Sequence, residues 1–166
     1  AGQDTLSSRS SGVHSRLGRI TSTVYDVLGR VQQTILPDGS FTSSQFDAVG
    51  RVTTTTNARG FSTSFEDDLV GRRVRTIDAL GNVTATGFDA VGNVVSVTDA
   101  NGHMTRFEVD RLNRQVKTVF PNGTFSEVRF DPAGRKVMEI DQAGIATEFR
   151  VDALGRNRTA LRMLVE

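Results

Sequence analysis

The sequence has no cysteine and no tryptophan, and it contains only three prolines and one tyrosine among 166 residues. Without cysteine the chain forms no disulfides and has no thiolate metal ligands or cysteine nucleophile. Long apolar runs are missing too, and nothing approaches the roughly 18 residues that a membrane-spanning helix needs. We therefore expect no membrane insertion, and the lack of cysteine by itself assigns no compartment.

An excess of charge of one sign is also missing, because 20 Lys and Arg stand against 19 Asp and Glu, for a formal net charge of +1. Unbalanced positive charge is what draws a protein to a phosphate backbone, so we expect no nucleic-acid partner. The apolar share of 37% is a modest supply of core. Sixteen glycines, in contrast, indicate many backbone positions with positive φ.

A 21-residue repeat organises nearly the whole sequence. In each repeat an Asp stands three residues before a Gly or, once, an Asn, which also tolerates positive φ. The next residue is Arg in all repeats but one. The members are Asp26, Gly29 and Arg30; Asp47, Gly50 and Arg51; Asp68, Gly71 and Arg72; Asp89, Gly92 and Asn93; Asp110, Asn113 and Arg114; Asp131, Gly134 and Arg135; Asp152, Gly155 and Arg156.

A second glycine series falls midway between these motifs, in contexts such as Pro-Asp-Gly and Asn-Gly that are typical of turns. Two turns per repeat leave two segments of about six or seven residues, the usual length of a strand. We therefore predict an all-β fold, an antiparallel β-hairpin repeat array of about fourteen strands forming a long curled or spiralling sheet. The second series is Gly18, Gly39, Gly60, Gly81, Gly102, Gly123 and Gly144.

The recurrent Asp residues are the first candidates for chemistry. We expect each to accept backbone N–H bonds in its own turn, and the following Arg to pair with a carboxylate of a neighbouring hairpin. A row of carboxylates is also what an acidic or calcium-binding edge requires, although no calcium-loop spacing is present. His14 and His103 lack the partners of a catalytic triad. We predict a non-enzymatic protein with no catalytic, metal or cofactor site, whose site residues are the repeat turns.

The motif Tyr25-Asp26-Val27-Leu28-Gly29-Arg30, echoed at 46–51, 88–93 and 130–135, closely resembles the YD repeat of the Rhs family. That family includes bacterial polymorphic toxins, toxin-complex C components, wall-associated proteins and animal teneurins, and its repeats form a β-sheet strip that spirals into a hollow shell. In the toxins the shell encloses a C-terminal effector. The resemblance implies a secreted or cell-surface shell segment whose partners are an enclosed toxin domain and further YD repeats of the same or another copy.

Two other functions fit the repeat. The first is an extracellular structural protein whose repeats assemble head to tail into a filament or a wall-associated strip, since unprotected strand edges pair readily. The second is an adhesin that binds carbohydrate or a receptor through its exposed rows of turns. The sequence leaves the choice among the three open.

We predict three segments: a degenerate N-terminal repeat at 1–24, the YD-repeat array at 25–158, and a C-terminal boundary or cap at 159–166. The last segment contains good helix formers from Thr159 to Leu164. Within the array, Asp67 stands where an aromatic or β-branched residue precedes the recurrent Asp elsewhere. Phe65, two residues earlier and on the same strand face, is expected to supply the missing apolar side chain.

Overall fold

Strands are the only regular elements in the part of the chain that the structure, a computed structural model, describes: residues 9–14, 20–152 and 156–164. These residues form fifteen strands and no helix. The strands are β1 (Arg9–His14), β2 (Ile20–Tyr25), β3 (Val31–Ile35), β4 (Phe41–Phe46), β5 (Val52–Thr56), β6 (Ser62–Asp67), β7 (Arg73–Ile77), β8 (Val83–Phe88), β9 (Val94–Thr98), β10 (Met104–Val109), β11 (Gln115–Val119), β12 (Phe125–Phe130), β13 (Lys136–Ile140), β14 (Ile145–Val151) and β15 (Asn157–Leu164).

The chain divides into two compact units, Ala1–Val83 and Thr84–Glu166. In the first unit β1 to β7 form a meander, in which each strand pairs antiparallel with its neighbour in sequence. In the second unit β8 to β15 pair in the same way. Short turns make this pairing the expected one. The all-β fold of antiparallel hairpins predicted from the sequence is confirmed.

The 21-residue period has a simple structural composition. From β2 to β13, strands of six and five residues alternate, as β4 and β5 show. The connections between them are five-residue turns at two alternating positions. One six-residue strand, one five-residue strand and two such turns make up the repeat, so each repeat contributes one complete hairpin and the link to the next.

A β-bulge explains why the five-residue strands alternate poorly in sequence. Gln45 pairs with Thr54 whereas Phe46 pairs with Val52, which leaves Thr53 as an extra residue on β5. Because one extra residue is inserted, the side chains that follow the bulge lie on the opposite face of the sheet from the one that strict alternation predicts, and the local twist increases. The same shift recurs at the corresponding hairpins, where the extra residues are Gln32, Val74, Val95, Val116, Val137 and Arg158.

The helix-forming composition of residues 159–164 does not produce a helix. These residues belong to β15, which pairs with β14 from Asn157 to Leu164. Cross-strand hydrogen bonds to a preceding strand outweigh a propensity difference of only tenths of a kcal/mol per residue. The helix indication in the sequence was therefore wrong, while the division of the chain at 159 stays a prediction.

Burial is slight throughout the described side chains. Only Ile140, at 4% exposure, and Ala146, at 2%, are buried, and they face each other across β13 and β14. Most other strand residues are half-buried or exposed. A single layer of strands cannot cover both of its faces, so the strand ladder and the turns carry much of the local order. No helix long and apolar enough to cross a membrane occurs in the described residues.

Candidate functional site

Two kinds of turn alternate along each meander, and they define the candidate site. We call the turns that contain the recurrent Asp the aspartate turns, and those that contain the second glycine series the midway turns. Successive turns of a meander lie at opposite ends of the strands. Each unit therefore has a row of aspartate turns at one end of its strands, which we call the aspartate edge, and a row of midway turns at the other end, which we call the midway edge. The described aspartate turns are 26–30, 47–51, 68–72, 89–93, 110–114 and 131–135, and the midway turns are 36–40, 57–61, 78–82, 99–103, 120–124 and 141–145; the N–H of Asp152 also donates to the carbonyl of Arg156.

Both kinds of turn share one backbone pattern. In the turn 47–51, the N–H of Asp47 donates to the carbonyl of Arg51, and the N–H of Gly50 donates to the carbonyl of Asp47. The fourth residue needs positive φ, which glycine adopts without a steric penalty. Asn113, with φ 60°, is the one non-glycine residue of positive φ among those described. The glycines of positive φ are Gly29, Gly39, Gly50, Gly60, Gly71, Gly81, Gly92, Gly102, Gly123, Gly134 and Gly144, while Gly18 and Gly155 lie outside the described residues.

The recurrent carboxylate ties each aspartate turn together. Oδ1 of Asp47 accepts the N–H groups of Val49 at 3.0 Å and Arg51 at 2.8 Å. Oδ2 accepts the Arg51 Nε–H at 2.7 Å. This carboxylate therefore neutralises a guanidinium and satisfies two backbone donors at once. The bonds to the Arg backbone and Nε recur at Asp26, Asp68, Asp110, Asp131 and Asp152.

These bonds favour the ionised carboxylate. The Arg51 backbone N–H is the largest cause that holds the pKa of Asp47 below its ordinary value, against the raising effect of desolvation. At Asp89 the side-chain amide of Asn93 is the largest cause that lowers the pKa. Lowered pKa values are shared by Asp26, Asp68, Asp110 and Asp131 in the aspartate turns and by Asp78 and Asp99 in the midway turns.

The Arg of each aspartate turn pairs differently from our prediction. Its carboxylate partner is the Asp of its own turn, four residues earlier, and not an acid of a neighbouring hairpin. The neighbouring hairpin is reached instead through an aromatic ring. The guanidinium carbon of Arg30 lies 4.3 Å from the centroid of Phe46, and that of Arg114 lies 4.0 Å from Phe130. Arg30 and Arg114 thus each close one turn and stack on the strand that leads to the next.

Asp67 changes this arrangement locally. With no ring at that position, Nη1 of Arg51 donates to the carbonyl of Asp68 at 2.6 Å and still joins the two turns. Arg73, on β7, pairs with Asp67 at 2.7 Å and lies 4.0 Å from the ring centroid of Phe65. Phe65 therefore does supply an aromatic surface near the substituted position, although a different Arg occupies it.

Glycine in an aspartate turn also makes room for the preceding repeat. A Cβ on Gly50 would lie 3.2 Å from Nη1 of Arg30, and a Cβ on Gly134 would lie 3.5 Å from Nη1 of Arg114. At the midway glycines Gly60 and Gly81 a Cβ would meet nothing within 4 Å. The two series share a positive φ, and the close approach of a cation is found at Gly50 and Gly134 of the aspartate series but not at Gly29 or Gly71.

At the junction between the turns 89–93 and 110–114, an amide pair replaces the Arg, the ring and the glycine of the other repeats. Asn93 stands in the Arg position, and its Nδ2 donates both to Asp89 at 2.8 Å and to Oδ1 of Asn113 at 2.9 Å. Asn113 occupies the position of the glycine that elsewhere leaves room for the guanidinium, and Val109 occupies the position of the ring. The short amide pair links the two turns in place of the longer Arg.

The midway turns contain capping residues that the sequence analysis missed. Oδ1 of Asp78 accepts the N–H groups of Leu80 and Asn82, both at 2.9 Å, which repeats the role of the recurrent Asp. The signal was present, since an Asp or Asn also stands three residues before four of the midway glycines. The missed residues of this kind are Asn57, Asp78, Asp99 and Asp141.

The two edges differ most at the third residue of their turns. In five of the described aspartate turns this residue is a large apolar side chain that is exposed to solvent. In the midway turns it is mostly polar. The exposed apolar residues are Leu28, Val49, Val70, Val91 and Leu112, and the corresponding midway residues are Asp38, Arg59, Leu80, Asn101, Asn122 and Ala143.

The described side chains form neither a metal cluster nor a catalytic set. No group of three or more His, Cys, Asp or Glu among them is placed to hold a metal ion. His103 lies in a midway turn, with Nδ1 3.2 Å from Oδ2 of Asp99, and its side chain is 61% exposed. The acids and bases of the turns are engaged in holding the turns.

A family model describes this repeat. The sequence matches the family model described as RHS Repeat over residues 25–63, 68–104 and 88–124. No curated protein matches it. Among solved structures, the chain is similar to the crystal structure of TcdB2-TccC3, with 17% identity and a TM-score of 0.45, covering 88% of this chain and 11% of that one. It is also similar to the Photorhabdus luminescens Tc holotoxin pore with a TccC3 mutation, with 15% identity and a TM-score of 0.45, covering 96% and 11%. The chain thus spans about a tenth of the structures that it matches.

Proposed function

The chain belongs to the RHS Repeat family, and on that premise we propose that it forms part of a β-shell that encloses or presents a C-terminal toxin or effector domain. The chain itself is a structural Rhs repeat segment. We further propose that it has no catalytic activity and that it functions outside the cell or at the cell surface. Its partners under this proposal are further repeats and the enclosed domain.

The observation that carries the proposal is that Arg side chains connect one repeat to the next along the aspartate edge. Arg30 is bonded to Asp26 in its own turn and stacks on Phe46 of the following repeat. The wall of a shell made from one layer of strands needs such links between repeats, because no second layer packs against the strands to hold them in place. An active site would instead hold acids and bases free to act on a substrate, and here the turn carboxylates are already bonded.

Protease protection in the full-length parent protein tests the proposal. An effector domain enclosed by intact repeats should resist a protease that digests the same domain expressed alone. The paired substitution Asp47→Ala with Arg51→Ala should open the wall and make the domain sensitive. Arg59→Ala is the matched control, since this exposed midway residue contributes its backbone N–H and not its guanidinium to the turn.

Three outcomes decide among the candidate functions. Protection that disappears in the paired variant and persists in the control supports a shell. A domain that is cleaved equally fast in all proteins contradicts enclosure and leaves presentation at the surface. A parent protein with a wall anchor and no effector domain contradicts the toxin function altogether and favours a wall-associated strip.

A further inference from the structure

The sequence contains two Asn-Gly pairs, at 101–102 and 122–123, and both lie at the same place in a midway turn. They are the third and fourth residues of the turns 99–103 and 120–124. Each glycine N–H donates to the carbonyl of the first residue of its turn, at 3.0 Å in the first turn and 2.9 Å in the second. Both asparagines are exposed. Because the two backbones match, a difference in reactivity between the pairs has to come from the side chains.

The turn 99–103 is capped by its first residue. Oδ1 of Asp99 accepts the N–H groups of Asn101 at 2.8 Å and of His103 at 2.9 Å. The side-chain amide of Asn101 is therefore not needed to close the turn. It makes no hydrogen bond to the part of the chain that the structure describes, so it is free to change rotamer in solvent.

The turn 120–124 is capped by its third residue instead. Its first residue is Phe120, whose side chain has no hydrogen-bond acceptor. Oδ1 of Asn122 accepts the N–H of Thr124 at 3.1 Å and the Thr124 hydroxyl at 2.7 Å. These two bonds hold the side chain of Asn122 in one orientation.

The same alternative occurs in the turn 36–40, which begins with Leu36. Here Oδ1 of Asp38 accepts the N–H of Ser40 at 3.0 Å and its hydroxyl at 2.6 Å. The first residue of a midway turn thus decides whether the side chain of the third residue is held or free.

A free side-chain amide beside glycine is open to attack by the glycine nitrogen, because glycine has no Cβ to obstruct the approach. Asparagine is accordingly a thermolabile residue. We propose that Asn101 is a site of spontaneous deamidation in the folded protein, and that Asn122 is protected by its bonds to Thr124. This modification goes beyond the proposed shell function and does not depend on it.

The reaction needs water and no other reactant. The Gly102 nitrogen gives up its proton and forms a bond to Cγ of Asn101, while the bond from Cγ to Nδ2 breaks and ammonia leaves with that proton. Water then opens the cyclic imide at one of its two carbonyl carbons, which leaves either Asp or isoaspartate. The attack requires the Gly102 N–H to leave the Asp99 carbonyl, so it occurs when the turn opens.

The opening step is common to both turns, because the Gly123 N–H is bonded in the same way to the Phe120 carbonyl. Asn122 has to release two further bonds before its Cγ can meet the glycine nitrogen. We therefore expect Asn101 to react at least about fivefold faster than Asn122. The product adds one negative charge to the midway edge and takes the formal net charge from +1 to zero.

Ageing the wild-type chain in mildly alkaline buffer at body temperature tests the proposal. Trypsin separates the two sites, since Arg106 and Lys117 lie between them. Mass spectrometry of the peptides then follows the conversion of each amide to an acid over time. The same chain aged in urea is the matched control, because unfolding removes the bonds of both turns and the two rates should converge.

Thr124→Val tests the source of the protection. This variant lacks the hydroxyl that binds Asn122 Oδ1, so deamidation at Asn122 should become faster while the rate at Asn101 stays the same. Circular dichroism should show that the variant keeps its strands.

Two results overturn the proposed site: an Asn101 that stays unmodified in the folded chain, or an Asn122 that reacts at least as fast. A rate difference that persists in urea also overturns it, because the cause would then be the local sequence and not the cap. An unchanged Asn122 rate in Thr124→Val contradicts the protective role of the hydroxyl. All of these rates are measured on this chain alone, so they stand whether or not the parent protein contains an effector domain.

Discussion

The two edges of the first unit are built from the same five-residue backbone turn but use it differently. Along the aspartate edge, Arg30 stacks on Phe46 and Arg51 donates to the Asp68 carbonyl, so each turn is tied to the next. On the midway edge, an open cleft of about 410 Å³ separates the turns at 57–61 and 78–82. The comparison teaches that turn closure and coupling between repeats are separate properties, and that Arg side chains make the coupling along the aspartate edge of the first unit.

Acid should affect the aspartate edge most strongly, because its carboxylates are held below their ordinary pKa and each also accepts a guanidinium N–H, a charge-assisted bond that protonation of the carboxylate would weaken. A lowered pKa in the folded state contributes stability that is complete above the unfolded pKa of about 3.9 and is lost as pH falls through the folded pKa. The melting temperature should therefore be level above about pH 5 and decline steeply below about pH 4.

Asn substitutions sharpen this acid prediction. Asp47→Asn removes the charge that pairs with Arg51, whereas Asp78→Asn loses no ion pair, since the side-chain partner of Asp78 is Asn82. At pH 7 the first variant should melt at a lower temperature than the second. Equal melting temperatures would show that the ion pair contributes nothing beyond the backbone bonds.

Valine in place of glycine should separate backbone strain from crowding. Gly81 has a φ of +84° and open space around its Cβ position, so Gly81→Val should cost roughly 1–2 kcal/mol in unfolding free energy from the backbone alone. Gly50→Val adds contact with Arg30 and should cost about 0.5–1 kcal/mol more through the disturbed stack. Urea unfolding measures both, and an equal loss would mean that Arg30 moves aside freely.

A double-mutant cycle measures the link itself. Arg30→Ala and Phe46→Ala each remove several contacts, but their coupling isolates the stack of the guanidinium on the ring at 4.3 Å. We expect a coupling of about 0.5–1 kcal/mol. Arg59 and Phe46 provide the control cycle, for which the coupling should be close to zero, and a similar value in both cycles would contradict the role of the stack.

The smallest effect concerns the junction of Asn93 and Asn113. Asn93→Arg alone brings a guanidinium against the side chain of Asn113, and Asn113→Gly alone loses the amide bond of 2.9 Å. Together they should restore the arrangement of the other repeats, so that the double variant is more stable than the sum of the single changes by a few tenths of a kcal/mol. Strict additivity would show that the two positions are not coupled.

Much of the fold could be predicted from the sequence, because similar turn residues recur at the same spacing in every repeat. Constant spacing identified the turn glycines. The turns need a positive φ at these positions, and a residue with a Cβ adopts positive φ only at a steric cost, so glycine recurs there. The bulges were not readable, since Gln32, Thr53 and Val74 have no composition in common that marks an extra residue.

The site was predicted less completely than the fold. Residue type indicates that Arg51 pairs with a carboxylate, but only the folded turn decides between an acid four residues away and one on the next hairpin. The capping role of Asp78 was missed for another reason, because the second series was defined by its glycine alone. At residues 159–164, local propensity pointed to a helix, and pairing with β14 decided the outcome.

The alternation of edges restricts how such a gene can change in length. Deleting one strand with its turn would reverse the direction of every later strand and move each later aspartate turn to the opposite edge. The Arg before the deletion would then lose its ring, and a bulged strand would face a partner of the wrong length. Recombination between repeats is therefore tolerated in steps of 21 residues, two strands at a time, and the array can grow or shrink only by whole hairpins.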